Sequence, residues 1–184
     1  AMRDTKTSSI SASEPDWSRE QCGPFEWVPS RQLLRALRAY QRALSQGSAG
    51  ATVRRKAAAL AHRFWSAVCG ADIALTTRID GGLLLPHPHG VVVHPDVKLG
   101  PNCLLMQQVT LGVGGRVPGA PTLAGHVDVG AGAKILGGVH IGEHARIGAN
   151  AVVLSDVPAG CTAVGVPARI VPPNVRMLAH VPVA

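Results

Sequence analysis

The segment Leu85–Gly90 contains the residues of this chain that are best suited to moving a proton. It reads Leu-Pro-His-Pro-His-Gly and supplies His87 and His89. An imidazole titrates near neutral pH, so either ring could take the proton of a hydroxyl group as a general base. Together with His94, the two histidines also resemble the ligand set of a zinc ion. The sequence does not require the three rings to converge, so both interpretations stay open at this point.

The element that must position these histidines is indicated by aliphatic residues spaced six apart. Neither a helix, with its period of 3.6, nor a strand, with its period of 2, produces this spacing. A parallel β-helix does, because each short strand directs one aliphatic side chain inward before the chain turns. Three such strands make a coil of about 18 residues, and stacked coils bury one continuous column. The eleven consecutive positions of the pattern are Val93, Leu99, Leu105, Leu111, Val117, Leu123, Val129, Ile135, Ile141, Ile147 and Val153.

Small residues recur at fixed places around this column, which suits the tight corners of a coil. An ordinary Gly-rich β-sandwich is the alternative, but it gives no reason for a strict period of six. On coils of about 18 residues, His126 and His144 are predicted to stack on the outer surface. Asp128 and Arg146 have the same spacing and could pair there.

Two interruptions of the solenoid are predicted after its start near Ile73. Two extra residues shift the register before Val93. The segment 112–121 has too many Gly and Pro residues for regular strands, so we expect it to leave the coil as a loop, although Val117 keeps the count. The stretch Gly165–Arg169 is predicted to end the solenoid.

Two amphipathic helices are predicted before the solenoid. The first covers residues 31–45 after the capping residue Ser30, and the second covers residues 52–69 and ends at Gly70. The predicted division of the chain is a flexible, loosely packed arm over 1–28, a helical region over 29–70, a β-helix over 71–171 and a tail over 172–184. Arginines follow one face of the first helix and apolar residues one face of the second: Arg31, Arg35, Arg38 and Arg42; Val53, Ala57, Leu60, Phe64 and Val68.

Composition limits the classes of protein to which the chain can belong. Of its 184 residues 46% are hydrophobic but only 3% are aromatic, which suits a core of Val, Ile and Leu. No apolar run approaches the roughly 20 residues of a membrane span, so no membrane association is expected. The four cysteines are scattered without a CxxC pair, which predicts reduced thiols in a cytoplasmic protein.

The net charge of +7 is concentrated in residues 1–64, which hold 11 Lys and Arg residues against 5 Asp and Glu residues. A basic stretch of this kind can bind nucleic acid, but here it lacks a recognition motif and interleaved aromatic residues. We therefore interpret it as a solvated helical face that could also attract an anionic substrate, and expect no nucleic-acid partner.

Four sequence stretches resemble the hexapeptide-repeat acyltransferases, and most closely the serine acetyltransferases. They read HPHGVVVHPDVKLG, QQVTLGVGG, VGAGAKILGGVHIGEHARIGANAVV and DVPAGCTAVGVPARIV, and lie between Asp72 and Val171. The resemblance implies a mainly β fold, a left-handed parallel β-helix with a short N-terminal α-helical region. It also implies a homotrimer, with a dimer of trimers as the alternative assembly. Such an assembly binds acetyl-CoA between neighbouring subunits and transfers the acetyl group to a small-molecule hydroxyl acceptor.

The resemblance also assigns the candidate catalytic and acceptor residues. His87 falls on the family's catalytic base and Asp72 on the carboxylate that pairs with this base. Their separation of 15 residues is close to one coil, so both could meet on adjacent coils. His89 either lines the acceptor pocket or lies in a turn. The chemistry of the family needs no metal, so we expect none.

For acetyl-CoA, the resemblance points to small residues that let backbone amides approach the pantetheine arm, and to basic residues that would meet phosphate. The alternative is that the small residues only serve tight corners, and both explanations can hold together. The positions are Gly112, Ala131, Arg146, Ala149 and, within the stretch 165–169, Arg169.

Three departures from the serine acetyltransferases concern the acceptor and the assembly. The family has an Asp just before the catalytic His, where this chain has Pro86. The family's Arg-His pair falls in the predicted loop, which here has no His, and Arg116 could replace only the Arg. The helical region over 29–70 corresponds to a larger domain in the family.

Three functions are compatible with these residues. The leading one is acetyl-CoA-dependent O-acetylation of L-serine or a serine-like molecule, with His87 as general base. Pro86 and the loop favour O-acetylation of a sugar or natural-product hydroxyl instead. A non-catalytic β-helix scaffold is the third, and the presence of both Asp72 and His87 argues against it.

Overall fold

The computed structural model describes residues 10–46 and 48–173, in which two helices precede a solenoid of short strands. A 3-10 turn, η1 (Trp17–Glu20), comes before the helices α1 (Pro29–Leu44) and α2 (Ala49–Cys69). The strands are β1 (Asp72–Ile73), β2 (Arg78–Ile79), β3 (Val92–Val93), β4 (Lys98–Leu99), β5 (Leu104–Leu105), β6 (Thr110–Gly112), β7 (Thr122–Leu123), β8 (Asp128–Val129), β9 (Lys134–Leu136), β10 (His140–Ile141), β11 (Arg146–Ile147), β12 (Val152–Val153), β13 (Thr162–Val164) and β14 (Arg169–Val171).

The strands form three sheets, which are the three faces of the solenoid. Sheet A has the order β1-β3-β6-β9-β12, sheet B the order β2-β4-β7-β10, and sheet C the order β5-β8-β11-β13-β14. Each coil crosses sheets A, B and C in turn, so the chain bends at an A–B edge, a B–C edge and a C–A edge. The paired strands are parallel except for β13 and β14, which are antiparallel. This is the parallel β-solenoid that the period of six predicts.

Each strand of the regular coils buries one aliphatic side chain in the central column. Val93, Leu111 and Ile135, for example, lie one above the other in sheet A and are almost fully inaccessible. Complete burial of such a side chain contributes about 1.5–3 kcal/mol. Val117, by contrast, is 44% exposed, because it lies in the loop between β6 and β7, as predicted.

The register of sheet A confirms the predicted interruptions. Asp72 pairs with Val92, whereas Val92 pairs with Thr110, so the first coil is two residues longer than the second. Leu84 pairs with Leu104 of β5 and so marks the place of sheet C in the first coil. The extra residues lie at the C–A edge, between Leu84 and β3. Thr110 in turn pairs with Lys134, because this coil includes the loop over residues 113–121.

The helices pack at the start of the solenoid and close its core. Leu33, Leu34 and Leu37 of α1 join the hydrophobic column. Helix α2 turns small residues such as Ala51 and Ala58 inward, which lets it approach α1 closely. Its bulky apolar residues therefore remain exposed on the opposite side: Val53, Leu60, Phe64 and Val68.

Residues 10–28 differ from the loosely packed arm that the sequence predicts. Asn102, buried at the B–C edge, accepts a hydrogen bond from the backbone N–H of Asp16 (2.7 Å) and donates to the carbonyls of Ser11 and Glu14 (both 2.8 Å). The Glu20 carboxylate accepts from the Leu83 N–H (2.9 Å). These long-range bonds fix the segment on the first coils. The remainder of the predicted arm, 1–9, and the predicted tail from 174 onward lie outside the described residues.

Polar side chains of α1 satisfy backbone carbonyls of the first coil. The Arg38 guanidinium donates to the carbonyls of Ile79 and Asp80, the latter at 2.7 Å. The Gln41 amide donates to the carbonyl of Thr77 at 3.0 Å. Helix α1 thus supplies the donors that a preceding coil would otherwise provide.

Candidate active site

The C–A edge brings a candidate acceptor residue and two candidate cofactor residues into one column. His89, Gln107, Ala131 and Ala149 occupy equivalent places on four successive coils. At three steps a backbone carbonyl accepts a hydrogen bond from the next coil, so the column has a fixed backbone. These bonds run from Gln108 N to His89 O (2.9 Å), from Gly132 N to Gln107 O (2.9 Å) and from Asn150 N to Ala131 O (2.8 Å).

His87 lies at the first corner of this edge, where the two extra residues widen the turn. Leu85 before it and Val91 after it are buried, whereas Pro86 and His87 are exposed. The Val91 N–H donates to the Pro88 carbonyl (3.1 Å) and closes the turn. The corner therefore presents the His87 imidazole to solvent from an anchored backbone.

His89 is positioned by the end of helix α2. Gly70 ends this helix in the left-handed conformation, with φ of 60°, and its carbonyl accepts from the Gly90 N–H (2.8 Å). A Cβ atom at residue 70 would lie only 2.7 Å from Nδ1 of His89. Glycine avoids backbone strain in this conformation and leaves room for the imidazole ring.

Asp72 begins sheet A beside this corner. It is exposed, and its N–H donates to the Val91 carbonyl (2.8 Å). Its partner across the strands is Val92, five positions after His87. Within residues 10–46 and 48–173, no hydrogen bond or ion pair joins the Asp72 carboxylate to His87, and their pairing stays a prediction.

His62 is a neighbour of Asp72 that the sequence analysis did not identify. It lies on α2, is only 7% exposed, and its Nε2 atom has no hydrogen-bond partner among the described residues. Burial lowers the pKa of His62, against the opposing effects of the Ile73 backbone and the nearby Asp72 carboxylate. Only the packing of α2 against the first coil brings these groups together, and no sequence spacing indicates it.

The histidines of the possible zinc set do not converge. His94 lies at the A–B edge, after β3, whereas His87 and His89 precede this strand. Its Nδ1 accepts from the Asp96 N–H (3.2 Å) and lies 3.8 Å from the Asp96 carboxylate. In the described part of the chain, no three His, Cys, Asp or Glu side chains are grouped so that they could hold a metal ion.

The basic cofactor candidates lie on sheet C, which adjoins the C–A edge. Arg146 on β11 is exposed between Asp128 and Thr162 of the neighbouring strands. Arg169 on β14 is exposed beside Val164. Both cations therefore lie on the sheet that borders the edge with Ala131 and Ala149. Arg146 forms no ion pair with Asp128 in the described structure.

The predicted histidine stack is confirmed at the B–C edge. Nδ1 of His126 and Nδ1 of His144 are 2.7 Å apart, and the rings meet edge to face. Burial lowers the pKa of His126, and the neighbouring His144 lowers it further while Asp128 opposes this. These residues lie on the opposite edge of sheet C from the candidate active site.

Gly112 and Arg116 lie at the A–B edge. The Gly112 carbonyl accepts from the Gly137 N–H (2.9 Å), and the Val117 carbonyl accepts from the Gly138 N–H (3.0 Å). The loop therefore lies across the next coil, with Arg116 exposed on it. Because this edge and the C–A edge are on opposite sides of sheet A, one protomer does not bring Arg116 to His87.

The buried cysteines are not suited to nucleophilic chemistry. Burial raises the pKa of Cys69 and that of Cys103 to about 11. A thiol with so high a pKa is protonated near neutral pH and reacts poorly. Cys69 and Cys103 both belong to the hydrophobic core, so they act as small packing residues.

Comparison with known proteins shows which class the chain resembles. The family described as "Bacterial transferase hexapeptide (six repeats)" matches residues 126–155. Part of the chain is thus similar to hexapeptide-repeat transferases, and the fold class predicted for the chain is confirmed by solved structures of the same architecture. Within that class, the resemblance to serine acetyltransferases is confirmed by the relatives. A serine acetyltransferase of Synechococcus elongatus is 48% identical over 104 residues, which are 55% of this chain and 43% of that protein.

Solved structures carry the same name. Soybean serine acetyltransferase complexed with serine superposes with a TM-score of 0.67 at 39% identity, over 79% of this chain and 58% of that one. Serine acetyltransferase in complex with coenzyme A from Brucella abortus gives 0.68 at 32% identity, over 80% and 58%. The chain spans between two fifths and three fifths of the length of these relatives. None of its described helices has the length and apolar character needed to cross a membrane.

Proposed function

We propose that this protein transfers the acetyl group of acetyl-CoA to the hydroxyl group of L-serine or a serine-like small molecule. The observation that carries the proposal is the column at the C–A edge, where the His87 corner continues into Ala131 and Ala149. The similarity to serine acetyltransferases solved with serine and with coenzyme A supports both substrates.

The chemistry asks little of the protein because an acetyl thioester is already activated. His87, exposed at its corner, takes the proton of the acceptor hydroxyl as the oxygen attacks the thioester carbonyl carbon. The tetrahedral intermediate then releases the CoA thiolate, which takes up the proton. Asp72 begins the adjacent strand and would stabilise the imidazolium form of His87. Holding both substrates at this corner supplies the rest of the acceleration.

Acetyl-CoA is proposed to lie along the C–A edge. The small side chains of Ala131 and Ala149 leave the backbone of the column accessible to the amide-containing pantetheine arm. Arg146 and Arg169, both exposed on sheet C, would bind phosphate groups. Gly112, at the far edge of sheet A, would contact the cofactor from a neighbouring subunit.

The acceptor site is proposed to need two subunits. His89 and Arg116, the proposed acceptor residues, lie at different edges of sheet A, so a site that uses both takes them from different chains. A homotrimer would meet this requirement, and so would a dimer of trimers. The exposed apolar face of α2 supports such an association.

Pro86 favours a second acceptor class, the hydroxyl of a sugar or natural product. Proline has neither a carboxylate nor a backbone N–H to offer an amino-acid acceptor, and it lies exposed beside His87. Thiol release from acetyl-CoA, measured with L-serine, L-homoserine and simple sugars in parallel, distinguishes the two classes.

The His87→Ala variant tests the mechanism. We expect kcat to fall by about 10²–10⁴-fold while CoA binding, measured by calorimetry, persists. His140→Ala is the matched control, because His140 is exposed on sheet B and away from the C–A edge. Full turnover by a folded His87→Ala protein would contradict the proposed mechanism. CoA binding without turnover on any acceptor would instead indicate a scaffold.

The compartment is proposed to be the cytoplasm. Cys22, Cys69, Cys103 and Cys161 are all free thiols, and thiols stay reduced in that compartment.

A further inference from the structure

A basic cavity lies outside the C–A edge, between η1, the segment that follows it and the arginine face of α1. Its volume is about 720 Å³. The charged side chains that line it are Arg31, Arg35, Arg38, Arg42, Glu20 and Glu26. The candidate active site uses none of these residues.

The two carboxylates do not neutralise this cavity. Both oxygens of Glu20 are occupied by Arg38, at 2.8 and 3.0 Å, and one of them also accepts from the Leu83 N–H. Glu26 accepts from the Gly23 N–H (2.8 Å). Among the described residues, the Arg38–Glu20 pair is the only ion pair that involves an arginine.

Three guanidinium groups therefore keep donors for a ligand. Arg31 uses one N–H for the Gln21 carbonyl (3.0 Å), and Arg42 uses Nε for the Arg38 carbonyl (3.3 Å). In the described structure Arg35 donates no hydrogen bond, although a guanidinium has five N–H groups. Of the three charges, Glu26 can offset one.

Arg31 and Arg35 lie close to Cys22, which also lines the cavity. Burial raises the pKa of the Cys22 thiol, while the positive charges of Arg35 and Arg31 act to lower it. Along the helix, residues 31 and 42 are separated by roughly 16 Å. A ligand that meets all three arginines therefore needs anionic groups at more than one point.

We propose that this cavity binds a small molecule that carries two or more phosphate groups. Planar guanidinium groups bind phosphate oxygens through paired hydrogen bonds, and their charge survives at any physiological pH. Adjacent phosphates match the excess positive charge better than a single carboxylate does. The same chemistry is offered by free pyrophosphate and by the phosphate chain of a nucleotide.

Calorimetric titration of the full chain with sodium pyrophosphate, at constant ionic strength, tests the proposal. We expect one saturable site per chain and an affinity that falls by about tenfold or more in Arg35→Gln. Arg35 holds no protein partner among the described residues, so this change should leave the thermal unfolding midpoint in place. Arg63→Gln is the matched control, since Arg63 is exposed on α2 outside the cavity.

Further arms separate this cavity from other phosphate sites. Arg169→Gln should bind pyrophosphate as tightly as the unchanged protein does. Loss of pyrophosphate binding in this variant would show that the ligand occupies the proposed cofactor site, and it would overturn the inference. Parallel titrations with ATP and citrate identify the source, and tighter binding of citrate would overturn the assignment to phosphate. Absence of saturable pyrophosphate binding, or equal binding by Arg35→Gln, would also overturn it.

Discussion

Replacing Gly70 by alanine would test whether the end of helix α2 positions the candidate acceptor histidine. The new methyl group would lie 2.7 Å from Nδ1 and 3.1 Å from Cε1 of His89. Both are atoms of a side-chain ring and not of the backbone. The ring can therefore rotate away, and the expected consequence is a displaced His89 in a folded protein.

Two separate effects follow, and they differ in size. A non-glycine residue in the left-handed conformation of residue 70 costs about 1–2 kcal/mol. For a chain of this length, that lowers the unfolding midpoint by about 2–8 °C. Losing one hydrogen bond from His89 to the acceptor weakens binding by about 0.5–1.5 kcal/mol, or roughly 2- to 12-fold in the acceptor's KM.

Gly160→Ala separates these effects. Gly160 has a similar φ of 69°, but a Cβ there meets nothing nearer than the Pro173 ring at 4.0 Å. Both variants should lose similar stability in urea unfolding, and only Gly70→Ala should raise the acceptor's KM in thiol-release assays. An unchanged KM in a folded Gly70→Ala protein, or an equal rise in both variants, would refute the role given to His89.

Two further predictions concern stability. Glu20→Gln removes the negative charge that faces Arg38 at 2.8 Å, and the Glu20 side chain is only 7% exposed. The substitution should therefore lower the free energy of unfolding by about 3 kcal/mol. Glu143→Gln, at an exposed position, is the control and should change it by less than about 0.5 kcal/mol. Burial lowers the pKa of His62, so the unfolded chain binds the proton of this histidine more tightly than the folded chain does. The free energy of unfolding therefore decreases as pH falls below about 6.5, by at most about 1.4 kcal/mol per pH unit. His62→Gln should remove this part of the slope between pH 7.5 and 5.5, and a slope that stays the same would contradict the assignment.

The solenoid could be predicted from the sequence because its core is periodic. Every regular coil must fill the same inward place, so residues such as Val93 and Leu111 reveal the strands and their register. The widened corner at His87 and the loop at Val117 were predictable for the same reason, as breaks in a strict count. The stacking of His126 on His144 could be predicted from the length of one coil alone.

The packing of the N-terminal segment could not be predicted in this way. Asp16 and Asn102 are 86 positions apart, and their hydrogen bond belongs to no repeat. The same holds for His62, which reaches Asp72 only through the packing of α2. The face of α2 that carries Phe64 was predicted as apolar, but its exposure depends on the small residues opposite. The proposed acceptor site could not be predicted in full either. His89 and Arg116 lie at different edges of sheet A, and no repeat spacing relates them.

The two ends of the solenoid have a consequence for self-association. A stack of parallel coils could in principle grow without limit, since each terminal strand presents backbone groups on which another chain could add. At the first coil, Arg38 and Gln41 already occupy carbonyls that an incoming strand would need. At the last coil, β14 returns antiparallel on β13 and interrupts the parallel register. Side chains at sheet B of the first coil and a reversed strand at sheet C of the last coil thus occupy positions that an added coil would need.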